Sequence, residues 1–77
     1  MIHIRQIEDV HFAENFLCLS IDGIAYRFSL DKISKKLANA DEIKRMMYKI
    51  SPSGYGIHWP LIDEDLSIDG LLKNVNQ

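Results

Sequence analysis

Apolar and polar positions alternate along the first part of the chain and recur at helical spacing later, which predicts a mixed α+β domain. Ile2, Ile4, Ile7 and Val10 alternate imperfectly over residues 2–11, predicting a first strand with a bulge or bend. Residues 15–21 predict a second strand, with Leu17, Leu19 and Ile21 on one face and Phe16, Cys18 and Ser20 on the other. Apolar residues on both faces mark it as central. Asp22-Gly23 follows, and an Asp-Gly pair between two alternating runs is a hairpin signal because glycine accepts positive φ. The third strand, 24–30, points Ile24, Tyr26, Phe28 and Leu30 inward and Ala25, Arg27 and Ser29 outward.

The period then lengthens. Asp31 reads as the N-cap of a helix over 32–38, with Ile33 and Leu37 on one face and Lys32, Lys35 and Lys36 in solvent. Asn39-Ala40-Asp41 interrupts it, and Asp41 caps a second helix over 42–47, where Glu42 complements the dipole. Tyr48 and Ile50 start a fourth strand, Pro52-Ser53-Gly54 form a turn, and residues 55–59 form a fifth strand that Pro60 ends. Residues 63–69 read as an acidic loop, and Ser67 caps a final helix over 68–74. Gly70 within that helix predicts close packing at that point. The expected architecture is a small antiparallel sheet of about five strands with two short central helices and a C-terminal helix.

Composition narrows the function classes. With 77 residues the chain suits one domain, with stability of roughly 4–12 kcal/mol. The single cysteine allows no internal disulfide. Met-Ile-His-Ile-Arg lacks the apolar run of a signal peptide, and no stretch approaches a membrane span. Both points predict a cytoplasmic protein. The net charge of −2 is unevenly distributed. Residues 32–49 hold six basic residues (Lys32, Lys35, Lys36, Lys44, Arg45, Lys49) and two acids, whereas Asp63, Glu64, Asp65 and Asp69 fall within seven residues. Such asymmetry reads either as two solvated faces or as two partner-facing surfaces.

The stretch 54–72, Gly-Tyr-Gly-Ile-His-Trp-Pro-Leu-Ile-Asp-Glu-Asp-Leu-Ser-Ile-Asp-Gly-Leu-Leu, resembles the C-terminal signature of small bacterial proteins catalogued as domain of unknown function 2442. Members read Gly-Ile-His-Trp-Pro, two residues, Asp-Glu-Asp, Leu or Ile, Ser, then Gly-Leu-Leu. Asp22-Gly23, Leu37-Ala38-Asn39-Ala40 and Arg45 also have counterparts, so the resemblance runs from about Val10 onward. Many relatives carry a glycine run where this chain has Ser51-Pro52-Ser53-Gly54, and often a proline near Asp41-Glu42. The resemblance implies an α+β fold without established catalysis. It also implies a two-gene module similar to toxin–antitoxin pairs, and, from relatives fused to a helix-turn-helix domain, a regulatory role.

Each candidate chemistry has a simpler structural counterpart. His58 could serve as a ligand or general base, or as a hydrogen-bonded residue that fixes the chain entering Pro60. Trp59 reads as core, or as a recognition anchor. Asp63 to Gly70 imitates a calcium loop, but Ile68 stands where glycine is needed and Asn74 where a bidentate Glu is needed. One histidine among unordered acids makes a poor transition-metal site. Cys18 reads as buried and inert, with no motif bringing His3 or His11 to it. No metal, cofactor or catalytic residue is expected. The expected function is a protein–protein interaction module, the antitoxin-like or regulatory half of a two-gene pair. Candidate contact residues are His58, Trp59, Asp63, Glu64 and Asp65 on one surface and Lys35, Lys36 and Lys44 on the other. A homodimer is a further expectation, given the spare apolar Met46 and Met47. The alternative is an accessory nucleic-acid-binding regulator that uses residues 32–49, against which the sequence pI of about 5.8 weighs.

Overall fold

Two antiparallel three-stranded meanders, rather than one five-stranded sheet, form the frame of the computed structural model, which describes residues 4–73. Ile2, His3 and Asn74, and the expected helix end at 74, lie outside the described residues. The first sheet has the order β1 (Ile7–Ala13), β2 (Phe16–Ile21), β3 (Ile24–Ser29). The second has the order β4 (Lys49–Ile50), β5 (Gly56–Trp59), β6 (Glu64–Ser67).

Local chemistry sets the first sheet. Asp22 (φ 52°) and Gly23 (φ 85°) both adopt the left-handed conformation of a two-residue hairpin, closed by the pair Ile21 and Ile24. Opposite β2, β1 carries the bulge that its imperfect alternation predicts. Between the pairs Glu8–Ser20 and His11–Cys18 it has one residue too many, and Asp9 absorbs it at φ 55°. Leu17, Leu19 and Ile21 are buried, and β2 is central as expected. Ile24 was expected to point inward but is exposed, because it sits at the turn end of the hairpin.

The central helix departs from its periodicity. The expected helix over 32–38 is two single turns, α1 (Leu30–Ile33) and α2 (Lys35–Ala38), separated by an extended Ser34. Asp31 is not the cap; it lies in the first turn of α1, whose N-cap Ser29 makes no side-chain bond. Ser34 does the capping instead, its Oγ accepting from the Leu37 N–H at 3.1 Å. Asp41 caps α3 (Glu42–Met46) as predicted, its Oδ1 accepting from the Lys44 N–H at 2.9 Å. Ser67 caps α4 (Ile68–Lys73) by accepting from the Gly70 N–H at 2.9 Å. The close packing expected at Gly70 is against that same hydroxyl: a Cβ there would lie 2.7 Å from Ser67 Oγ.

One core joins both sheets. Leu17, Leu19, Ile21 and Phe28 meet Ile57 and Trp59 of β5, together with Leu30, Leu37, Ile68 and Leu71 from the helices. Trp59 has 0% exposure. Its ring lies edge-on to Phe12 of the other sheet, with centroids 6.3 Å apart, and its Nε1–H donates to the Arg45 carbonyl at 3.0 Å.

Arg45 holds the connection between the sheets. Its Nε donates to the Leu37 carbonyl at 3.0 Å, one Nη to the Ala38 carbonyl at 3.1 Å, and the other to the Glu14 carbonyl at 3.1 Å. The guanidinium thus ends α2 and fastens the β1–β2 turn. A lysine offers no planar fork. Arg45→Lys is expected to cost about 2 kcal/mol, because carbonyls lose their donors. Urea unfolding should show a lower midpoint with an unchanged slope.

Candidate interaction surfaces

The segment 63–69, expected to be an acidic loop, is mostly strand, and its last two residues open α4. Residues 60–63 make the β5–β6 turn, with Asp63 at φ 50°, and Glu64–Ser67 pair with β5 as β6. Alternation then separates the acids. Glu64, opposite Trp59, is on the core-facing rank; Asp65, opposite His58, is on the outer one. Glu64 escapes a buried, unpaired charge because its Oε2 accepts from the Ser34 hydroxyl and its Oε1 from the Asp65 N–H at 3.0 Å.

The basic and acidic segments meet each other. Lys36 Nζ donates to the Asp63 carbonyl at 2.9 Å, and Ser34, between the two helical turns, reaches Glu64. Lys36 and Arg45 are therefore used inside the molecule, which shortens the basic run that could face phosphates. Lys35 and Lys44 are exposed.

His58 lies on the outer face of the second sheet, between Lys49 of β4 and Asp65 of β6 in one cross-strand row. Its Nδ1 is 2.7 Å from Asp65 Oδ1. With a proton on Nδ1, that nitrogen donates to the carboxylate, which fixes the tautomer and ties β5 to β6. The row borders a shallow depression of about 560 Å³ that includes Tyr55, Gly56 and Ser67. Among the described residues no three His, Cys, Asp or Glu side chains are grouped to hold a metal.

Trp59 cannot touch a partner, since the fold buries it completely. The anchor reading of that residue is corrected accordingly. Cys18 is half-buried rather than buried, and the β1–β2 register sets it opposite His11. The His11 ring is turned to the Asp9 carbonyl, 2.8 Å from Nδ1.

Three large apolar side chains are exposed together on α3 and its C-cap. Ile43 is 71% exposed, Met46 66% and Met47 53%. Beside them a groove of about 500 Å³ runs between α3 and β1, with Val10, Phe12 and Tyr48 in its walls. Sequence periodicity could not tell this patch from core, because α3 is too short for its two faces to be distinguished.

With this geometry in view, the family model described as protein of unknown function (DUF2442) matches residues 7–77. The chain belongs to the DUF2442 family. A crystal structure at 2.75 Å resolution of a protein of unknown function from Rhodospirillum rubrum ATCC 11170 is similar to this DUF2442 chain, with a TM-score of 0.73 and 22% identity. The match covers 91% of this chain and 87% of that one, and at this identity it shows a shared fold. No curated protein matches the chain. No helix among the described residues is long and apolar enough to cross a membrane.

Proposed function

We propose that this DUF2442 protein is a non-enzymatic interaction module that binds a protein partner stoichiometrically through α3, as the antitoxin-like or regulatory half of a two-gene pair. The observation that carries the reading is the exposed trio Ile43, Met46 and Met47 beside a groove that Val10, Phe12 and Tyr48 line together with charged residues. Contiguous exposed apolar surface, and methionine in particular, is characteristic of adaptable contact sites. Glu42 and Lys44 stand among the trio and supply charges of both signs to a polar rim.

The test is co-expression with the product of the adjacent gene. A complex of fixed stoichiometry is expected with the wild-type chain. Ile43→Glu with Met46→Glu should weaken it by roughly 30-fold or more, since each buried contact residue is worth about 1–2 kcal/mol. These side chains are exposed, so the melting temperature of the free protein should hardly move. Failure to co-purify, or a complex indifferent to both substitutions, overturns the reading. Sedimentation of the free protein separates a homodimer through the same patch.

A further inference from the structure

The outer edge of β3 is open. Among the described residues β3 pairs only with β2, over six unbroken pairs from Phe16–Ser29 to Ile21–Ile24. In a two-residue hairpin the closing pair exchanges its hydrogen bonds, so Ile24, Tyr26 and Phe28 direct their main-chain groups to β2. Leu30 keeps the same parity, its N–H donating to the Asn15 carbonyl at 2.9 Å. The N–H groups of Ala25, Arg27 and Ser29, and the carbonyls of Ala25 and Arg27, therefore face away from the sheet. Among the described residues none of them has a partner. Of the usual defences of an edge, β3 has Arg27 but no proline, no bulge and no charge turned inward.

A groove of about 450 Å³ runs beside this edge. Its lining includes Phe16 of β2, Arg27 and Phe28 of β3, and Lys32 and Ile33 of α1. Among the described residues the lining has two cations and no acid. The Arg27 guanidinium lies over the Phe16 ring of β2, 4.5 Å from its centroid.

We propose that this groove takes an extended acidic segment of a partner protein as an added antiparallel strand. Main-chain hydrogen bonds to Ala25, Arg27 and Ser29 would supply the pairing. Carboxylates of the segment would meet Arg27 and Lys32, and apolar side chains between them would cover Phe28 and Ile33. A second copy of the chain fits poorly, because antiparallel pairing of two β3 edges sets one copy's Arg27 and Lys32 near those of the other. The surface shares no residue with α3, so the proposal stands or falls separately from the function proposed above.

The experiment is a titration of the 15N-labelled protein with a blocked hexapeptide of alternating valine and glutamate, followed by amide chemical shifts. Saturable shifts at Ala25, Arg27 and Ser29 are expected. Arg27→Glu with Lys32→Glu should weaken binding roughly tenfold, as two solvent-exposed charge contacts would. Two probes need no change to the protein: a peptide N-methylated at the pairing positions, and one with lysine for glutamate. Both should bind at least tenfold more weakly. The proposal is overturned if millimolar peptide leaves these amides unmoved, if the N-methylated or lysine peptide binds equally well, or if the shifts fall on α3. Concentration-dependent shifts of the same amides without peptide would assign the edge to a second copy and overturn it too.

Discussion

Trp59→Ala is expected to lower stability by about 3–5 kcal/mol, the range for deleting a large buried aromatic. For a domain of this size that corresponds to a fall in melting temperature of roughly 12–40 °C. The whole stability is about 4–12 kcal/mol, so a fraction of the chain would be unfolded at growth temperature. Three interactions disappear together. The edge-on contact to Phe12 links the two sheets, and the tilted one to Tyr48 packs the residue that leads into β4, both at 6.3 Å. The Nε1–H bond fixes the Arg45 carbonyl and with it the end of α3. Trp59→Phe separates these effects: it retains most of the apolar contact but leaves that carbonyl without its donor, at about 1–3 kcal/mol. The chain has one tryptophan, so its fluorescence reports unfolding of the wild type, and the variants are followed by far-ultraviolet circular dichroism. A Trp59→Ala protein with an unchanged melting temperature would sink the core reading and restore the residue as a surface anchor.

That residue also shows how far the sequence could be read. Trp59-Pro60 was legible as core and strand end because both roles follow from covalent structure: a large apolar ring, and a residue without an N–H. Asp22-Gly23 was legible for the same reason, since few other pairs tolerate two positive φ angles. β6 was not. Glu64, Asp65, Leu66 and Ser67 have one apolar residue among four, and acids are poor strand formers. They pair because Asp65 finds His58 across the ladder and Glu64 finds Ser34, which is 30 residues away in sequence. The division of the central helix at Ser34 was hidden likewise. Leu30, Ile33 and Leu37 keep helical spacing through it, with no glycine or proline to signal a break. The charge asymmetry misled most. Residues 32–49 and 63–69 look like separate surfaces along the chain, but Lys36 and the Asp63 carbonyl are hydrogen-bonded in space.

Gly54→Ala is expected to destabilise the fold by about 3 kcal/mol or more, from two independent causes. Gly54 has φ 71°, where a Cβ alone costs about 1–2 kcal/mol. The second cause is contact: a Cβ there would fall 1.9 Å from the Arg5 carbonyl oxygen and 2.9 Å from its carbon. Both are backbone atoms that no rotamer change can move. Arg5 cannot simply withdraw. Its N–H donates to the Ser53 carbonyl at 3.1 Å, and its guanidinium joins Asp22 at 3.3 Å and Asp69 at 3.1 Å. The next residue is bound as well, since the Gln6 N–H donates to Asp22 Oδ1 and the Asp22 N–H to the Gln6 carbonyl, both at 2.9 Å. Any shift that admits the methyl group strains the link between β1, the β2–β3 turn and α4. Gly23→Ala is the matched control: φ is 85°, but nothing lies within 4 Å of the added Cβ, so only the conformational cost of about 1–2 kcal/mol applies. The difference between the two variants in urea unfolding measures the contact at Arg5. Amide exchange should show protection lost at Arg5 and Gln6 in Gly54→Ala and kept in Gly23→Ala. Equal destabilisation by the two alanines would mean that Arg5 does not pack on the turn and that backbone conformation alone requires glycine there.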